Sequence, residues 1–333
     1  MNELFATGIG MALGWAMQRG QFCLNSGFAG LARGQAFEKA RSLGLALSLA
    51  AAVIGVIRLV RAVMIVPGLL TTPPASSIPT LASLVYGIVG GLIFGASMPA
   101  AGGCASGIWM RLGEGRLSAL GAIVGFGLAL YIASYVLPGP PTGQYFEPSV
   151  LLLSLWTIGA FMVFGLLWHH SGTAASGASW TDRCTGVALG LLASGTWLAG
   201  QFVALPDLAI VPGMIAAGGW ISNSNETLSP ELFLVPGIAL GAMLSARTRK
   251  TFFTRIPTGG AVLRAFAGGL GLGSGAYIAG GCTLGYGLDL APLGSVDAFV
   301  VLLAIFLGRA IPARLTPDAA QRAPVRSAQP IAR

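Results

Sequence analysis

VYGIVGGLIFGASMPAAGGCASG (85–107) and LRAFAGGLGLGSGAYIAGGCTLG (263–285) are one pattern written twice. At an offset of 178 they share Gly90/Gly268, Gly91/Gly269, Gly95/Gly273, Gly102/Gly280, Gly103/Gly281, Cys104/Cys282 and Gly107/Gly285, with Leu92/Leu270 and Ala101/Ala279 between. Glycine bias supplies some of these matches. It does not readily place Gly-Gly-Cys-x-x-Gly at the same point after an apolar run. Upstream, GMALGWAMQRGQFC (10–23) aligns with GLLASGTWLAGQFV (190–203) at an offset of 180. Gly20–Phe22 recurs as Gly200–Phe202, so the chain contains one long repeat of about 180 residues. Cys23 has no counterpart in it, because Val203 occupies the aligned position.

Composition says what surrounds the repeat. Of 333 residues, 54% are hydrophobic and 9% charged, against about 25% charged in a soluble domain. So few charges cannot cover a protein of this size in water, so lipid must cover much of it. Glycine, at 50 residues, is enriched where membrane helices pack closely or break. The net charge of +8 is spread over short connections and the C-terminal tail. No aromatic and basic motif accompanies it, so nucleic-acid binding is not expected. The start, MNELFATGIG, lacks the basic region of a cleavable signal, and the first apolar segment is expected to stay as a span.

Apolar runs of roughly 17–25 residues can cross a bilayer. Nine are expected, at about 3–18, 42–63, 81–100, 117–137, 150–168, 184–203, 231–246, 260–279 and 295–312. Lys and Arg orient them. Arg19, Arg33, Lys39 and Arg41 lie in the first connection, Arg111 and Arg116 in the third, and Arg183 in the fifth. Arg247, Arg249, Lys250 and Arg255 lie in the seventh. The connections between, about 64–80, 138–149 and 204–230, contain neither Lys nor Arg. That alternation predicts an outside N-terminus and a cytoplasmic C-terminus. Spans 1 and 6 then run in opposite directions, as do spans 3 and 8. The expected fold is all-α: a polytopic membrane protein of about nine transmembrane helices plus short re-entrant helices, in two inverted pseudo-repeats. A single domain covers 1–313, with repeat A at about 1–137, a connector span at about 150–168 and repeat B at about 182–313; a polar tail (314–333) follows. Inverted repeats are a transporter architecture, with the substrate site where the repeats meet.

The Gly-Gly-Cys positions are candidate re-entrant loops. Glycine lets the backbone turn sharply and approach a ligand. Irregular backbone at membrane depth is tolerated only where protein buries it or a wet cavity lines it. A short helix starting after each cysteine aims N–H groups and a positive dipole end at that cavity, which suits an anion. A thiol adds a weak donor and a soft sulfur. Gly102, Gly103, Gly280 and Gly281 with Cys23, Cys104 and Cys282 are therefore the candidate substrate residues, unless these thiols are simply buried and structural. Cys184 lies outside both motifs and is expected to be a buried structural thiol. There is no CxxC pair, and His169 and His170 are the only histidines, so no metal site and no cofactor are expected. A Cys104–Cys282 disulfide is at odds with loops entering from opposite faces. No acid, base or nucleophile pairing points to an enzyme.

Three arginines depart from the charge pattern. Arg58 and Arg61 lie near the outer end of the second span, one turn apart, and Arg264 lies early in the eighth. They either snorkel to headgroups or face a vestibule and attract an anion. Asp289 and Asp297 are expected to make polar contacts at the outer surface.

RGQFCLNSG (19–27), AGGCASG (101–107) and AGGCTLG (279–285) together resemble the YeeE/YedE family of sulfur-transport membrane proteins, over essentially the whole chain. The resemblance implies uptake of thiosulfate through an hourglass-shaped protein in a prokaryotic inner membrane. It implies that cysteines in short loops pass the ion along by hydrogen bonds; by motif these are Cys23, Cys104 and Cys282. Cys184 matches no family motif. The resemblance also implies a small cytoplasmic sulfur carrier of the TusA type as partner, with no such domain expected in the short polar tail. The chemistry agrees: backbone N–H groups can hold the oxygens of thiosulfate, and thiols can donate to its terminal sulfur. Several weak sites in series favour passage. Transport of another sulfur or selenium compound, and covalent use of the cysteines, are the alternatives.

Overall fold

The computed structural model describes residues 2–35, 37–64, 76–78, 80–139, 144–146, 150–174, 178–202, 208–222 and 230–315. Every expected apolar segment lies on a helix. These are α1 (Asn2–Arg19), α3 (Phe37–Met64), α4 (Leu81–Ala101), α6 (Ser118–Val136), α7 (Val150–His170), α8 (Asp182–Gly200), α10 (Pro230–Thr248), α11 (Gly259–Ala279) and α12 (Val296–Leu315). Six helical stretches are long and apolar enough to cross a membrane by length and composition: α3, α4 continued through residue 113, α6, α7, α10 and α12. Length and composition therefore give six spans, and α1, α8 and α11 add helices of 18, 19 and 21 residues at the other three expected places. The fold is that of a multi-pass α-helical membrane protein. Its one departure among the described residues is a ribbon in which β1 (Ser76–Ile78) pairs antiparallel with β2 (Gln144–Phe146).

Two helices lie in what the sequence presents as connections. α2 (Leu24–Ala32) follows Cys23, and α9 (Ile210–Ser222) occupies the middle of 204–230. At nine and 13 residues both are too short to span a bilayer of ~20-residue helices, and the Pro212-Gly213 pair breaks the pattern of α9 further. Short α5 (Ala105–Gly113) follows Cys104. After Cys282 the chain makes one π-helical stretch (Gly285–Leu290) and a 3-10 turn (Ala291–Leu293). The tail beyond 315 and Val203 lie outside the described residues.

Glycine faces set the packing. α1 meets α10 where Gly10 and Gly14 lie against the Leu234 and Ile238 backbone and Gly241 lies against Met11. α3 meets α8 at Gly186 and Gly190, which face Ser42, Leu45 and Ala46. α4 and α11 approach through Gly90, Gly268 and Gly275. Gly95 of α4 lies on α12 at Ile305, and Gly273 of α11 lies on α6 at Phe126. Lipid tails are as apolar as leucine, so such contacts are held by close van der Waals fit rather than by water exclusion. A methyl group at most of these glycines would collide with backbone. α7 stands apart, packed mainly on α3, with Leu151, Leu155, Phe161 and Leu166 exposed, as a lipid-facing helix requires.

The connections sort into two ends. The ribbon joins the α3–α4 connection to the α6–α7 connection, both free of Lys and Arg. Elsewhere Gln21 Nε2 donates to Glu114 Oε1 at 2.9 Å, and Phe253 N–H donates to Glu114 O at 3.3 Å. Ser179 N–H donates to Arg19 O at 2.9 Å. These bonds gather the four basic connections together.

Candidate functional site

Both Gly-Gly-Cys loops are made the same way. α4 ends at Gly102, whose φ of 84° is left-handed, and α11 ends at Gly280 with φ 82°. A residue with a Cβ is strained there, so glycine stops each helix and turns the chain. The second glycine gives room. A Cβ at Gly103 would sit 3.0 Å from the Gly107 backbone, and one at Gly281 would sit 2.9 Å from the Tyr286 ring. Each cysteine then precedes a new helical start, and all three candidate thiols are free and buried.

The structure brings Cys23 and Cys104 together. Cys23 is the N-cap residue of α2 and Cys104 that of α5. Their thiols are close enough to act on one another. Both sulfurs converge on Gly107, where a Cβ would stand 3.1 Å from Cys23 Sγ and 3.3 Å from Cys104 Sγ. Ser106 Oγ lies 3.5 Å from Cys104 Sγ. The first N–H groups of a helix have no acceptor within it, so two helix starts point their donors at one thiol pair. The turn before Cys23 is held by Gln21, in left-handed backbone (φ 46°) and bonded to Glu114. Buried Arg309 on α12 donates through Nε to Asn25 Oδ1 at 2.5 Å, and Asn25 Nδ2 donates to Met98 O at 3.3 Å. α2 is thereby fixed to both α4 and α12.

Cys282 stands alone in a different setting. It borders a cavity of roughly 570 Å³, lined also by Ala209, Pro212, Tyr277, Tyr286 and Asp289. That volume holds a small anion with water around it. The N–H groups of Ile210, the first residue of α9, and of Leu284 and Gly285 lie close enough to act on the Cys282 thiol. Tyr286 Oη donates to Ala279 O and ties the π-helical stretch to the end of α11. Beside Cys282, the fully buried Thr283 hydroxyl has no protein partner among the described residues.

Arg58 is buried and donates through Nη1 to Leu293 O at 3.0 Å, so it holds the end of the broken segment rather than snorkelling. Arg61 is half-buried and Arg264 exposed. Neither Arg58 nor Arg61 lines the cavity. Asp297 accepts from Ser83 Oγ at 3.2 Å, but Asp289 lines the cavity rather than only the surface. Cys184 is exposed in the first turn of α8 and is not a buried structural thiol; its turn faces outward because Asp182, two residues earlier, takes the inward position. Among the described residues no cluster suits a metal ion. The residues missed from sequence are Asn25, Arg309 and Tyr286 and, beside the thiol pair, Lys39 and Arg111. The places of all but Tyr286 are fixed by neighbours distant in the chain.

Fold and site together define a polytopic helical membrane protein with buried thiols, a cavity and helix starts at the breaks in its helices. The chain belongs to the sulphur-transport (YeeE/YedE) family, whose model matches residues 19–311. It is 29% identical to the thiosulfate transporter TsuA of Escherichia coli (strain K12), over 90% of this chain and 90% of that one. It is 28% identical to the thiosulfate transporter TsuA of Spirochaeta thermophila, over 90% of this chain and 94% of that one.

Proposed function

We propose that this protein takes up thiosulfate across a prokaryotic inner membrane, as a transporter and not as an enzyme. The observation that carries this is the set of three buried free thiols at helix starts, two in contact and one at a cavity. The ion enters the cavity beside Cys282, then reaches Cys23 and Cys104. N–H groups of α9, α2 and α5 take its oxygens and the thiols donate to its terminal sulfur. The Gly-Gly-Cys loops act as re-entrant loops of two inverted repeats, before and after α7. Support comes from matched packing: α1 on α10 beside α3 on α8, and α6 on α11 beside α12 on α4. The N-terminus is outside and the basic connections are cytoplasmic, where a small TusA-like sulfur carrier is the partner. Membership of the family and the names of the two relatives support the cargo.

The test is uptake of labelled thiosulfate by a strain without other routes. Cys104→Ala and Cys282→Ala, each present in the membrane at normal level, should abolish it. Normal uptake by both variants sinks the thiol relay. The contact between Cys23 and Cys104 also favours a second reading, in which a thiolate attacks the terminal sulfur of thiosulfate. That leaves a persulfide on cysteine and releases sulfite. Mass spectrometry after exposure decides: intact thiols support transport by hydrogen bonds alone, and a persulfide on Cys104 replaces it.

A further inference from the structure

Two cations flank the thiol pair, and their positions are not those of simple topological charges. Lys39, in the first turn of α3, donates through Nζ to Ser26 Oγ at 2.6 Å. Ser26 Oγ in turn donates to Cys23 O at 3.0 Å. Lys39 also approaches Gly27, where a Cβ would sit 3.3 Å from its own Cβ. Arg111 lies across the other loop: a Cβ on Gly102 would stand 3.0 Å from its Nη1. Lys39 and Arg111 are within electrostatic reach of each other and of Cys23. Both are half-buried. Glu38 is felt by Lys39, yet among the described residues no carboxylate forms an ion pair with either cation.

A charge that only orients the chain needs a place in a connection, exposed to headgroups. These two instead bring like charge together, half out of water, against the two cysteine loops. Such an arrangement is unfavourable when empty and is relieved by an anion. The cavity at Cys282 offers the opposite setting, with Asp289 as its one charged lining residue.

We infer that Lys39 and Arg111, together with Cys23, Cys104 and the starts of α2 and α5, form an inner anion site selective for divalent anions that carry a soft terminal sulfur. This rests on the transport reading above and adds the charge class of the cargo. A dianion passing from the cavity at Cys282 to the thiol pair gains two cations. A monoanion with an equally soft sulfur gains about half as much. The thiols read the sulfur, and the cations read the charge.

The experiment uses the full chain, reconstituted in vesicles and also purified for binding, with sodium thiosulfate as the probe. Lys39→Gln and Arg111→Gln should each weaken thiosulfate binding about tenfold, one such factor for each lost pairing. Lys39→Arg and Arg111→Lys should stay within about threefold of the parent. Sulfate, divalent but without the soft sulfur, and thiocyanate, monovalent with it, then serve as competitors. Both should compete less well than unlabelled thiosulfate in the parent protein. Thiocyanate should gain on sulfate when both cations are replaced. Binding by the Gln variants within about twofold of the parent overturns the inference. So does thiocyanate competing as well as thiosulfate in the unmodified protein, a comparison that needs no variant to fold. The two readings fail separately. If Cys104→Ala stops uptake while the Gln variants bind and transport normally, only the charge site is lost. If Cys104→Ala transports normally, the relay is lost whatever the cations do.

Discussion

A methyl group on Gly107 would have to stand between two sulfurs, 3.1 Å from one and 3.3 Å from the other. Overpacking of this kind costs about 1–3 kcal/mol, and here it is spent on separating Cys23 from Cys104. Gly107→Ala should therefore lower thiosulfate uptake by about tenfold or more at normal membrane levels. The matching glycine of the other loop is the control. A Cβ on Gly285 meets only Ala209 Cβ, at 3.7 Å, so Gly285→Ala should fold normally. Unchanged uptake by Gly107→Ala would mean that contact between the thiols is not used. At this scale the sequence was legible where glycine constrains it. Gly102 and Gly280 announce the loops because their backbone is left-handed, and Gly103 and Gly281 because a Cβ there has no room. Lys39 and Arg111 were not legible, because residues 39 and 111 sit in connections whose charge already had an explanation. Nor was the partner position of Cys23. Sequence alignment answers Cys23 with Val203, yet the residue before α9 is Ala209, because extra residues separate Gly200–Phe202 from that helix. Either way the place holds no thiol.

Elements explain how the loops keep their shape. The broken segment 283–293 is short and irregular, and a helix that stops inside a membrane leaves carbonyls without partners. Arg58 supplies one partner, its guanidinium bonded to Leu293 O at the negative end of the local helix dipole. A hydrogen bond to a charged group contributes about 1.5–3 kcal/mol. Arg58→Met should lower the melting temperature and expose Cys282 to alkylation by iodoacetamide at a faster rate. An unchanged alkylation rate would show that the segment is held without Arg58. The long helices were legible as apolar runs, and all nine expected runs lie on helices. α2 and α9 were not, since at nine and 13 residues they are shorter than the runs of roughly 17–25 residues that mark a span. Their starts meet the cysteines, so a part of the site was hidden with them.

For the whole molecule, the proposed orientation can be read at a single thiol. Cys184 provides the measurement, since it is exposed while Cys23, Cys104 and Cys282 are buried. It lies one residue after Arg183, in the first turn of α8, next to the connection from α7. With the basic connections inside, a charged, membrane-impermeant maleimide should label inverted vesicles and spare intact spheroplasts. Cys184→Ser should remove the signal. Labelling of intact cells at Cys184 would reverse the orientation and place the paired thiols on the outer side.

The glycine faces have a consequence for how the protein is made. α1 finds its close partner in α10, α3 in α8, and α4 in α11 and α12. Among the described residues no helix before α7 packs as closely on those faces. As the chain leaves the ribosome, its first half must wait in the bilayer with its tightest surfaces unmatched. Any early pairing must then be loose enough to dissolve. Assembly is thus a late event, set by the arrival of the last helices, and a chain truncated after α7 should reach the membrane without acquiring a native interior.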